Sequence, residues 1–116
     1  MNTIRTTKLA TALALALMLS GTALAAEGEA LAKAKMCFTC HELKGENHGP
    51  SFQDIARRFS GLSNAKRMLV KEVQSGTYVP GVARHWGTMK MPKDSDREPV
   101  SQAEAEQLVD YILSIK

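Results

Sequence analysis

The sequence predicts an all-α domain of about four short helices. Three observations carry that expectation. Apolar residues recur three and four apart in four separate stretches, the spacing of one helix face. Helix punctuation frames them: Ser51 and Ser101 stand three residues before Asp54 and Glu104, and Gly61 and Gly76 follow two of the stretches. No stretch alternates apolar and polar residues as a half-buried strand does. With 116 residues, one small domain is expected.

The N-terminus stands apart from that domain. Arg5 and Lys8 give a positive start, Leu9 to Leu19 is an apolar run, and Ser20, Gly21 and Thr22 break it. Ala23-Leu24-Ala25 then presents small residues where a signal peptidase reads them. Residues 1–25 are expected to be a signal peptide cleaved after Ala25, with Ala26 as the neighbouring site, and residues 26–116 the mature domain. The apolar run is short for a bilayer span, which takes about 20 residues, so the mature form is expected to have no membrane span.

Ala26 to Met36 reads as the first helix. Ala30, Leu31, Ala34 and Met36 form its stripe, with Glu27 and Glu29 at the start and Lys33 and Lys35 at the end, as the helix dipole prefers. After a polar loop from Glu42 to Gly49, Ser51 opens a second helix whose Phe52, Ile55, Ala56 and Phe59 share a face. Ser63 is the expected cap of a third helix, lined by Ala65, Met68, Leu69 and Val73 and stopped at Gly76. Thr77 to Pro99 is irregular, because Pro80, Gly81, Gly87, Pro92 and Pro99 exclude a long helix. The last helix starts at the Ser101/Glu104 capping box and repeats Leu108, Tyr111, Ile112 and Ile115 on one side. It is expected to pack across the first.

Chemistry concentrates in Cys37-Phe38-Thr39-Cys40-His41. Two thiols three apart followed by an imidazole form the pattern of a c-type haem attachment site. Each thiol can add across a haem vinyl group, and the adjacent histidine then lies under the ring, where a nitrogen reaches the iron. A dithiol oxidoreductase would need a strand before the motif and alternating strands and helices around it. A structural zinc site would need two further ligands at close spacing, and His48 and His85 are too scattered to supply them. These are the only two cysteines, and free thiols sit poorly with export to an oxidising compartment. The low aromatic content of 5% also suits a domain whose core is completed by a flat apolar cofactor.

A second iron ligand is sought in the long loop, since such loops are usually functional. Met91, Met89 and His85 are the candidates. A thioether suits haem iron opposite histidine, whereas His85 would give a lower-potential site. Pro92 directly after Met91 would stiffen that ligand's backbone, which favours Met91. Trp86, the only tryptophan, is expected beside the haem, either bonding a propionate through its indole N–H or walling the ring edge. His48 is expected on the surface and Met68 in the core.

Charge says less. Of 15 Lys and Arg, Arg5 and Lys8 fall in the leader, which leaves 13 against 12 Asp and Glu. Basic residues dominate from Arg57 to Lys93 and acidic ones from Asp94 onward, an asymmetry able to steer an acidic partner. Nucleic-acid binding is not expected, because the basic residues lack a stacking platform.

From residue 26 onward the chain resembles the small bacterial monohaem type of class I cytochrome c. Cys37-Phe38-Thr39-Cys40-His41 matches the family's haem motif. Gly49-Pro50 is similar to the glycine-proline that follows it, whose proline carbonyl accepts a bond from the ligating histidine. Trp86-Gly87-Thr88-Met89-Lys90-Met91-Pro92 resembles the distal loop, in which the methionine before the proline binds iron. Leu108 to Ile115 is similar to the terminal helix. The resemblance implies one haem c, joined through Cys37 and Cys40, with His41 and Met91 as axial ligands and Pro50 and Trp86 in the haem environment. It implies a soluble periplasmic electron carrier, not an enzyme, that docks transiently with redox proteins as a monomer. A haem-based small-ligand sensor and a cytochrome subunit of a larger dehydrogenase are the alternatives. Two departures stand out: Ala32 lies in a first helix that usually carries an aromatic residue, with Tyr111 the candidate to fill the gap, and the stretch from Gly76 to Trp86 is longer than usual.

Overall fold

A computed structural model of the chain describes residues 21–77, 90–93 and 97–116. Among the described residues the regular elements are helices: α1 over residues 21–34, α2 over Phe52–Phe59, α3 over Ala65–Ser75 and α4 over Gln102–Ser114, with a 3₁₀ turn at Cys37–Thr39. This is the expected all-α arrangement.

Three boundaries differ from expectation, each for a local reason. Helix α1 already runs at residue 21, upstream of Ala26, because Ala23-Leu24-Ala25-Ala26 is strongly helix-forming. It ends at residue 34, two residues early. The Lys35 N–H still reaches Leu31 O at 2.9 Å, but the Met36 N–H turns to Lys33 O at 3.0 Å. Met36 then takes a left-handed conformation, φ 57°, which stops the helix and leaves its side chain exposed. At the start of α3 the cap position is Asn64, not Ser63, and no side chain caps it. The Ala65 N–H is already bonded to Leu62 O at 3.1 Å by the preceding turn, so Ser63 is left within that turn.

The other signals behave as written. The Ser51 hydroxyl accepts from the Asp54 N–H at 3.0 Å and donates to the Asp54 carboxylate at 2.9 Å. Phe52, Ile55 and Ala56 are buried while Arg57 and Arg58 face solvent. Gly76, at φ 70°, ends α3. Ser101 and Glu104 make both bonds of the capping box, a feature contributing about 1 kcal/mol.

Helix α4 is the axis of the core, and α2 and α3 both pack on it. Its Leu108 and Val109 are almost wholly buried, as is Phe52 of α2. Each such side chain contributes roughly 1.5–3 kcal/mol by leaving water. Gly28 and Ala32 of α1 are both buried, and Ala32 joins the same apolar cluster as Tyr111. Tyr111 sits so close to Gly28 that a Cβ there would collide with the tyrosine Cβ and Cγ. The missing aromatic residue of α1 is thus replaced by one from α4, received on a glycine. The basic and acidic halves of the chain also meet directly. Lys66 of α3 pairs with Asp110 of α4 at 2.8 Å; Lys35, upstream of the basic stretch, pairs with Glu104 at 3.0 Å.

Gly28→Ala should therefore push α1 off Tyr111 and cost about 1–3 kcal/mol, the usual penalty of overpacking. Urea unfolding of the haem-loaded protein, followed by circular dichroism, measures it.

Candidate haem site

Cys37, Cys40 and His41 occupy one helical turn. The Cys37 carbonyl accepts from the Cys40 N–H at 3.2 Å and from the His41 N–H at 3.0 Å. Residues three and four apart on such a turn share a face, so both thiols and the imidazole reach the same cavity. Both cysteines are half-buried and unlinked to each other. Burial pushes the Cys37 thiol up from its ordinary value, with the charges of Arg97 and Lys35 pulling it back.

The imidazole is fixed on three sides. Its Nδ1 lies 2.7 Å from the Pro50 carbonyl. A carbonyl can only accept, so Nδ1 carries the proton and Nε2 keeps its lone pair for a metal. Phe52 lies nearly parallel to the ring, 22° apart in plane and 5.4 Å between centroids. Gly49 backs it: a Cβ there would stand 2.9 Å from His41 Cε1 and 3.2 Å from Nδ1. Burial pulls the imidazole below its ordinary value despite the bond to Pro50, which favours the neutral form. The loop reaches this position through Gly49 N–H to Cys40 O, 2.9 Å, and Phe52 N–H to Glu42 O, 2.9 Å.

The cavity measures about 570 Å³, within the range of cofactor sites. Its walls are apolar: Phe52, Ile55 and Phe59 from α2, Leu69 and Val73 from α3, Leu108 and Ile112 from α4. Phe52 and Phe59 are thus pocket walls. His48 is an exposed residue at the rim.

Met91 lines the same cavity, held by the end of α3. The Thr77 hydroxyl accepts from the Met91 N–H at 3.0 Å, and the Thr77 N–H donates to the Met91 carbonyl at 3.2 Å. Gly76 permits this approach, because a Cβ there would run into the backbone of Met91, Pro92 and Lys93, at 2.8 Å from Pro92 C and Lys93 N. The sequence reading missed both roles. Its only signal was a glycine stop followed at once by a hydroxyl residue. Trp86, His85 and Met89 lie outside the described residues.

Two thiols at one edge, a neutral imidazole with a free Nε2, a methionine and apolar walls on a single cavity are the donor set and surroundings that a haem c requires. The comparisons with known proteins agree. The family model described as Cytochrome c matches residues 25–116. The chain belongs to the cytochrome c family. It is 40% identical over 88 residues to cytochrome c-552 of Hydrogenobacter thermophilus, covering 76% of this chain and 81% of that protein. It is 34% identical to cytochrome c-551 of Ectopseudomonas mendocina, covering 78% of this chain and all of that one. The crystal structure of wild-type cytochrome c552 from Nitrosomonas europaea superposes with a TM-score of 0.63 at 31% identity, over 76% of this chain and 99% of the other. The chain is thus a small class I monohaem cytochrome c, an electron carrier with one covalently attached haem.

Two substitutions test the supports of the site. Gly49→Ala should displace the imidazole, lengthen its bond to Pro50 and make the ring less basic. The reduction potential should rise, and thermal unfolding should begin about 4–8 °C earlier for each kcal/mol lost. Thr77→Val removes the hydroxyl acceptor at nearly constant shape. Amide exchange at Met91 should become about tenfold faster, the loss of one hydrogen bond, which NMR of the haem-loaded protein reads directly.

Proposed function

We propose that the chain carries single electrons in the periplasm with His41 and Met91 as the axial ligands of its haem iron. The observation that supports this reading is the meeting of Cys37, Cys40, His41 and Met91 on one apolar cavity. The haem, when bound, supplies the one-electron couple of its iron. The residues of the chain do the rest. Cys37 and Cys40 anchor the ring by thioethers. His41, with Nδ1 committed to Pro50, turns Nε2 inward. Met91 offers a soft, neutral thioether, which favours the ferrous state and raises the potential. Phe52, Phe59, Leu69 and Leu108 line the cavity and would exclude water from the ring, which would keep reorganisation small. With both axial positions taken, no position remains for a substrate, so the protein is a carrier and not an enzyme.

The periplasmic assignment rests on the leader-like residues 1–25, with cleavage after Ala25 releasing residues 26–116 as a monomer. Among the described residues no helix is long and apolar enough to cross a membrane. Redox partners would dock weakly and transiently, as electron-transfer encounters do.

The test is an absorption spectrum of the oxidised protein isolated from the periplasm, with its mass. The weak methionine-to-iron band in the far red should be present in the wild type and absent in Met91→Ala. The mass should equal residues 26–116 plus one haem. A wild type that lacks the band and binds carbon monoxide readily when reduced would have an open distal site and act as a sensor, overturning the carrier reading.

A further inference from the structure

The segment that carries Met91 is held by the side chains or backbone of three residues. Thr77 holds Met91 itself. Arg97 Nε donates to the Pro92 carbonyl at 2.9 Å, and Arg97 Nη1 donates to the Glu98 carbonyl at 3.3 Å. Lys35 Nζ donates to the Pro99 carbonyl at 2.7 Å. The second of these is of a different kind from the others. One guanidinium joins the residue after Met91 to the far end of the same loop. It thereby closes the loop from Pro92 to Glu98 on itself. The planar fork of arginine can serve two carbonyls at once, which a lysine ammonium cannot do with the same fixed geometry.

The guanidinium also lies on the cavity, alongside Cys37 and Met91. Its charge is felt at the Cys37 sulfur. Arg97 therefore stands where the distal loop meets the attachment motif. A backbone movement that withdraws Met91 from the cavity carries Pro92 with it, since the two share a peptide bond. That movement breaks the bond from Nε, a charge-assisted contact of the stronger class.

We propose that Arg97 is the positioning residue that keeps Met91 in place and sets how fast the distal site opens. This rests on Met91 being the iron ligand. Arg97 acts through the Pro92 carbonyl and needs no contact with the metal. Thr77 and Gly76 fix where the segment begins, and Arg97 fixes whether it stays closed.

The experiment uses the haem-loaded, ferric, full mature protein mixed with imidazole, which takes the distal position only after methionine leaves. Loss of the far-red band gives the rate. Arg97→Lys and Arg97→Gln should both react about 10- to 100-fold faster than wild type, the weight of one charge-assisted hydrogen bond. Lys93→Gln, an exposed cation on the same segment, should react at the wild-type rate. Wild-type rates in both Arg97 variants would overturn the proposal. So would a wild-type rate in Arg97→Lys alone, because charge rather than the fork would then be the agent. Acceleration matched by an equal rise in the global unfolding rate would assign Arg97 to general stability, again overturning it. A wild type with no far-red band would instead remove Met91 as the ligand, an outcome distinct from a clamp that fails with the band intact.

Discussion

The bond from His41 Nδ1 to the Pro50 carbonyl is the contact on which the rest of the site depends. It commits Nδ1 to Pro50 and fixes the tautomer, which leaves Nε2 with the lone pair a metal needs. A single hydrogen bond between partners nine residues apart would not hold a ring in one orientation. The surrounding contacts make it do so. Gly49 brings the chain close enough for Pro50 to reach the imidazole, and Phe52 lies against the ring's face. Phe52 also meets Phe38 at 5.3 Å and Tyr111 at 6.1 Å between centroids. The orientation of one imidazole is thereby tied to α4 and, through Gly28, to α1.

The two sides of the site are built differently. On the histidine side, motif, loop and Pro50 are neighbours in sequence, and short-range turns assemble them. On the methionine side, Met91 reaches back fourteen residues to Thr77, and Arg97 bonds the carbonyl of the next residue, Pro92. Local contacts of the first kind form at little entropic cost. The second kind must close a longer loop before any contact rewards it. Backbone bonds to a helix end and to a guanidinium are the means by which this chain offsets that cost. The difference fits the proposed roles, in which His41 would stay bound and Met91 would govern access to the metal.

The same division explains what the sequence could disclose. Ser101 and Glu104, the Phe52 to Phe59 face, the stop at Gly76 and the Cys37 to His41 motif are local patterns, and each was readable because its partners lie within a few residues. Ser63 failed for a local reason too: the turn at Leu62 had already satisfied the amide it was expected to cap. Gly49, Gly28 and Thr77 were not readable in their true roles. Their neighbours are His41, Tyr111 and Met91, and only the fold brings those close. A glycine looks the same in a sequence whether it makes a turn or receives a ring.

Size supplies the last constraint. The family domain, residues 25–116, is small enough to bury only a modest share of its surface. This one devotes Phe52, Ile55, Phe59, Leu69, Leu108 and Ile112 to the walls of one cavity. The central helix contributes to those walls with the same Leu108 and Ile112 that hold α2 and α3 against it. Core and cofactor site are therefore one surface, not a core with a pocket added. The covalent haem completes the hydrophobic interior that the chain is too short to build alone, and for that reason the fold and the electron-carrying site share the same residues.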